Sequence, residues 1–260
     1  MGLFKNLFSK NKEEYPDISG TPAQSREIPQ KESTEKMVGT IDMSKSAKNL
    51  DKVLIDMSKT GKIDMSKHVA RVALAMDYSG SMSGLFADGS VQNTITRLLP
   101  ISLRFDDNGE LESWLFSDSQ KRVEAVTIQN YKNYVREVMM KSRMNMGGTN
   151  YAPVLKDIVK YYKDVEPSCI PAFIIFITDG DNWDKTETNE IIKELSNYNM
   201  FVQFIGIGND NFSYLRSLDD MKGRKNDNTG FTAVCDMDGM SDEELYTEIL
   251  RQYKDWLNNK

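Results

Sequence analysis

The chain is poor in histidine and cysteine and has no long apolar run, and each shortage removes a class of function. His68 is the sole imidazole, so a Ser-His-Asp or Cys-His catalytic group would have to be built on it, and it stands at the wrong end of the strand that follows. Two cysteines, Cys169 and Cys235, make neither a disulfide framework nor a metal-ligand pattern. They read as free, buried thiols of a reducing cytoplasm. No stretch approaches the ~20 apolar residues of a spanning helix. Residues 1–8 are too short and too interrupted by charge for a secretory signal. Basic charge is outweighed: Lys+Arg number 33 against 39 Asp+Glu, a net charge of −6 and a pI near 5.1, which excludes the basic stripe of a nucleic-acid binder.

Residues 1–37 are polar and interrupted by Pro16, Pro22 and Pro29, the composition of a disordered extension. Within it, Leu3, Phe4, Leu7 and Phe8 share one helical face beside Lys5, Lys10 and Lys12. Residues 1–12 thus form a basic amphipathic patch suited to a partner groove or to peripheral contact with an anionic membrane. A frayed terminus is the alternative. Residues 38–67 carry Ile-Asp-Met-Ser-Lys three times, at 41–45, 55–59 and 63–67. The starts lie 14 and 8 residues apart, so no fixed-period solenoid is encoded. Each copy reads as a short linear element, isoleucine and methionine on one side and charges in water. It would serve as a docking or self-pairing edge, or only decorate a linker.

From residue 68 to 260 strand and helix patterns alternate, implying βαβ units and a parallel sheet. Strands are predicted at 69–76, 110–116, 122–127, 172–178, 201–208 and 231–236. Helices are predicted at 91–105 (kinked at Pro100), 130–141, 151–162, 186–198, 212–218 and 241–257. The expectation is a Rossmann-like α/β fold: a mainly parallel six-stranded sheet with one antiparallel edge strand and helices on both faces.

Three strand-end loops carry oxygen donors. Asp77-Tyr-Ser79-Gly-Ser81 follows the first strand, Gly147-Gly148-Thr149 precedes a helix, and Asp179-Gly180-Asp181 follows the most hydrophobic strand. A carboxylate with hydroxyls at steps of two offers the hard oxygen ligands that Mg²⁺ or Mn²⁺ prefers. Paired glycines let backbone approach an ion. On its own, Thr149 or Asn150 would be a helix N-cap. Trp183, on the rim of the third loop, reads as a half-buried loop aromatic or as a contact anchor.

This ordered set, Asp-x-Ser-x-Ser, then Thr 72 residues after Asp77, then Asp 30 residues later, resembles the metal-ion-dependent adhesion site (MIDAS) of von Willebrand factor A (VWA) domains. The resemblance covers residues 68–257. It is closer still to the VWA domains of tellurium-resistance, TerF-like proteins. It is carried by Asp77-Tyr-Ser-Gly-Ser-Met, Gly89-Ser-Val-Gln92, Arg97-Leu-Leu-Pro100, Phe105-Asp-Asp-Asn-Gly109 and Met146-Gly-Gly-Thr-Asn-Tyr-Ala-Pro153. It implies Mg²⁺ or Mn²⁺ ligated directly by Ser79 and Ser81, by Thr149 directly or through water, and by Asp77 and Asp179 mostly through water. It also implies an exchangeable position for an Asp or Glu carboxylate of a protein partner, in a cytoplasmic tellurium, toxic-cation or general stress assembly. Two other readings stay open: a scaffold with a non-exchanging metal, and a Mg²⁺-dependent phosphoryl-transfer enzyme. The second lacks a Gly-x-x-x-x-Gly-Lys loop and has serine at 79 where another carboxylate would serve.

Overall fold

The computed structural model describes residues 41–235 and 239–260. The readings of residues 1–40, the extension and its amphipathic start, lie outside the described residues. Six strands form one sheet in the order β3-β2-β1-β4-β5-β6. They are β1 (Arg71–Asp77), β2 (Leu111–Phe116), β3 (Gln120–Val126), β4 (Ala172–Thr178), β5 (Met200–Ile207) and β6 (Thr229–Val234). Only β2 and β3 pair antiparallel, as the sequence predicts.

Side-chain alternation divides the core into two layers. Val72, Leu74 and Met76 of β1, with Phe173, Ile175 and Ile177 of β4, pack on one face. Ala73, Ala75, Ile174 and Phe176 pack on the other. Both faces are buried, so these strands read as continuous apolar runs. Helices α1 (Ile41–Ser58), α3 (Ser90–Phe105) and α7 (Asp242–Asn258) cover the first layer. Helices α4 (Ala152–Lys160), α5 (Lys185–Leu195) and α6 (Ser213–Asp219) cover the second, and the short α2 (Ser83–Ala87) follows the first strand-end loop. Among the described residues no helix is long and apolar enough to cross a membrane.

The repeat departs from its expectation. The first copy opens α1, the second closes it, and the third forms a 3₁₀ turn at Met65–Lys67. Met43, Met57 and Met65 are all buried in the core, whereas Ile55 is exposed. An Ile-x-Met pair shares a side only in an extended strand; on a helix the two project about 200° apart. The 14-residue offset is close to four helical turns, which returns Met57 to the face of Met43. Leu50, Val53 and Leu54 complete that face. Polar ties close it: Arg97 binds Asp242 at 2.7 Å, and Ser46 donates to the same carboxylate at 2.8 Å. Residues 41–67 are therefore packed on the body and do not form a separate linear segment.

The helix expected at 130–141 is a 3₁₀ turn, Tyr131–Asn133, followed by a π-turn, Val135–Met139, although Tyr131, Tyr134, Val135 and Met139 do point inward. Helix α3 runs on through Pro100. Cys169 and Cys235 are both exposed, because each lies in a connection just outside a strand.

Candidate metal centre

The chain leaves β1 for β2 on one side and later returns to place β4 on the other. The strand order therefore reverses between β1 and β4. The crevice beyond the carboxyl ends of two such strands is where open α/β sheets bind ligands. Asp77 closes β1, and Asp179 directly follows β4.

Asp77 is wholly buried. Its Oδ1 accepts the Ser79 backbone N–H at 2.8 Å, and its Oδ2 accepts the Thr178 hydroxyl at 2.6 Å. The Ser79 and Ser81 hydroxyl oxygens lie 3.0 Å apart, and Ser81 donates to Asp179 Oδ1 at 2.9 Å. Four of the five predicted ligands are thus joined through one short chain of contacts. Thr149 is buried on the neighbouring loop, tied to the first loop by Gly80 N–H to Gly147 O (3.0 Å) and to the third by Trp183 N–H to Thr149 O (3.0 Å).

Burial pushes the Asp77 carboxyl up to about 6, against the opposing pull of its hydrogen bonds from Thr178 and Ser79. Burial also raises Asp179, with the Ser81 hydrogen bond opposing. Among the described residues neither carboxylate has a cation within ion-pair distance, so each is a charge lacking compensation. A divalent cation would supply it. The spacing fits as well: neighbouring oxygens around octahedral Mg²⁺ lie about 3 Å apart when the bonds are 2.0–2.1 Å, and the Ser79–Ser81 and Ser81–Asp179 separations are 3.0 and 2.9 Å. Among the described residues no three His, Cys, Asp or Glu side chains form an alternative cage.

Two supports were not legible in the sequence. Tyr151 donates to Thr178 Oγ1 at 3.1 Å and also to Gly180 O, bracing the residue that holds Asp77. Neither Thr149 nor Asn150 caps α4. Asp184 does so from the third loop, accepting Tyr151 N–H at 3.0 Å and Ala152 N–H at 2.7 Å. Trp183 between them is 85 % exposed, which overturns its reading as a half-buried aromatic.

A family model described as the vWA found in the TerF C terminus matches residues 69–260. The chain belongs to this vWA-TerF-like family. Uncharacterized protein YcbR of Bacillus subtilis (strain 168) is 38 % identical over 222 residues, 85 % of this chain and 87 % of that protein. Among solved structures, the SpRpn10 VWA domain superposes with a TM-score of 0.51 at 12 % identity, over 68 % of this chain and 93 % of that one. Proximal thread matrix protein 1 of the mussel byssus, solved with a zinc-occupied MIDAS motif, gives 0.52 at 14 % identity over 73 % of this chain. The chain spans 46 % of the mussel protein's length. At these identities the likeness is one of fold.

Proposed function

We propose that this chain is a divalent-metal-dependent protein-binding module of a cytoplasmic stress-resistance assembly. In this reading Ser79, Ser81 and Thr149 hold Mg²⁺ or Mn²⁺, Asp77 and Asp179 balance its charge, and an Asp or Glu of a protein partner completes the coordination. The observation that carries it is the run of oxygens from Ser79 through Ser81 to Asp179, spaced at 3.0 and 2.9 Å, in which neither Asp179 nor the adjoining Asp77 has an ion-pair partner among the described residues. Hydroxyls among the direct ligands leave the ion electrophilic, and Mg²⁺ keeps exchangeable waters that a carboxylate can replace. A binding role is favoured over an enzymatic one because the single histidine lies before β1, at the opposite end of that strand from the crevice, with Nε2 2.9 Å from the Tyr253 hydroxyl. The tellurium or toxic-cation setting rests on family kinship alone.

The test is calorimetric titration of the wild type, Ser81→Ala and Asp179→Ala with MgCl₂ and with MnCl₂, beside thermal melts of all three. Uptake by the wild type and loss in two still-folded variants is expected. A folded wild type that takes up neither ion would sink the proposal.

A further inference from the structure

Strand β6 ends the sheet on one side, with α6 packed on one face of it and α7 on the other. Its ladder to β5 runs through even-numbered residues: Val202 N–H takes Asn228 O and Gly208 N–H takes Val234 O, both at 3.0 Å. Successive residues of a parallel strand turn their backbone groups to opposite sides. Thr229, Phe231 and Ala233 therefore direct theirs away from the sheet. The protein closes the first half of this edge itself, because Gln252 Oε1 accepts Phe231 N–H at 2.8 Å. Phe231 C=O and both backbone groups of Ala233 have no partner among the described residues, and Ala233 is exposed. An open strand edge of this kind is a template for another strand.

The open backbone lies in a shallow groove of about 670 Å³, lined by Phe231, Thr232 and Ala233 together with side chains of both flanking helices. On the α7 side stand Glu243, Glu244 and Glu248, and the Thr232 hydroxyl, 3.3 Å from Glu248 O, ties that helix to the strand. Glu243 is bridged to Lys52 at 2.6 Å, Glu248 lies 3.7 Å from Arg251, and Glu244 completes the capping box with Ser241. Against these three acids the groove has one cation, Arg216 of α6, on the other side. Its guanidinium carbon lies 4.9 Å from the Phe231 ring centroid, and it has no acidic partner among the described residues.

A strand laid along β6 sends alternate side chains to the two faces of the sheet. One set meets the glutamates of α7, and the other meets Arg216 beside Phe231. We propose that this edge takes up an extended segment of a partner protein with Lys or Arg at every second position and no cation between them. Backbone bonds to Phe231 C=O and Ala233 would give affinity, and the two oppositely charged sides would set composition and register. A second copy of the chain is disfavoured as occupant, since it carries a net charge of −6 and the same glutamates at its own edge. The proposal is independent of the metal-binding reading, because no residue of the crevice takes part.

The experiment titrates the full chain in EDTA with labelled peptides, read by anisotropy, while NMR follows exchange of the Ala233 amide proton. The probes are Thr-Lys-Thr-Lys-Thr-Lys-Thr, its block isomer Thr-Thr-Lys-Lys-Lys-Thr-Thr, and the alternating peptide with Glu in place of Lys. The alternating Lys peptide should bind and slow Ala233 exchange, the block isomer should bind about fivefold more weakly, and the Glu peptide should not bind. Glu248→Gln should weaken the alternating peptide about threefold, and Arg216→Gln should narrow the gap between the two isomers. Ala233→Pro removes an edge donor without touching the ladder to β5 and should weaken binding about fivefold. Backbone N-methylation of the peptide should do the same on the unaltered protein. Equal binding of the two Lys isomers, binding that leaves Ala233 exchange unchanged, or no binding at all overturns the proposal. Protection of Ala233 by self-association without peptide overturns it in favour of a second copy.

Discussion

Replacing Asp77 by Asn should stabilise the protein in EDTA while abolishing its response to metal. The wild-type carboxyl, raised to about 6 by burial, titrates near 3.8 when unfolded. Between those values the folded chain holds a proton that the unfolded chain has released, so stability falls as pH rises through the window. Above about 6 the full penalty is present, and two units of pKa correspond to ~3 kcal/mol. Asn keeps an acceptor for the Ser79 N–H and turns an amide toward Thr178, whose hydroxyl can rotate to Gly180 O at 3.4 Å. Allowing for that poorer bond leaves a gain of about 2 kcal/mol, or ~4–8 °C in Tm for a domain of this size. Melts in EDTA at pH 7.5 should show this rise for Asp77→Asn, and melts at pH 4 should show none. In MgCl₂ at pH 7.5 the wild type should gain stability by mass action and the variant should not. The difference between the two proteins is the deciding quantity, since His68 titrates in the same range with the opposite slope. A variant that melts below the wild type in EDTA at pH 7.5, or a difference independent of pH, would refute the reasoning.

Burial, with a smaller contribution from Lys260, lowers His68 to about 4, so stability is intact above pH 6.5 and is lost as pH falls toward 4. Relative to His68→Gln, the wild type should lose about 2–3 kcal/mol across that range, and a flat difference by urea denaturation would contradict it. Leu54→Ala, on the buried face of α1, should cost about 2–4 kcal/mol with an unchanged denaturant slope. A cost under ~0.5 kcal/mol would mean that α1 is not part of the cooperative unit. Asp184→Ala should cost about 1–2 kcal/mol by removing both N–H acceptors at the start of α4, and Asp184→Asn should recover part of it in the same melts.

The strands and their terminal acids were legible because a parallel strand covered on both faces shows as an apolar run, and the acid at its tip follows it directly. Asp77 after Arg71–Met76 and Asp179 after Thr178 are of this kind. What the sequence concealed depends on residues distant along the chain. Asp184 caps a helix that begins 32 residues earlier, a role no local spacing announces. Thr178 looks like the last residue of an apolar strand, yet its hydroxyl holds Asp77. The repeat misled for another reason: Ile-x-Met suggests a strand edge when each copy is read alone, and only the 14-residue offset between copies reports a helix. A Cβ at Gly147 or Gly148 would meet Asp118 or Trp183, contacts between loops that no local spacing announces.

The oxygens of Ser79, Ser81 and Asp179 are placed by hydrogen bonds to one another, and Asp77 by Ser79 and Thr178. Tyr151 and the Asp184 cap then hold those loops from behind. The protein's own contacts fix these oxygens, so an ion entering the site would not need to organise it. A structural metal ordinarily contributes the folding energy that creates its site. Under the proposed function the free energy of ion binding would go instead to relieving Asp77 and Asp179, which have no ion-pair partner among the described residues, the balance expected of an ion that exchanges its outer ligand. Asp77 is costly for the fold alone, and in the proposed function a cation beside it would offset that cost, as expected where stability is traded for function.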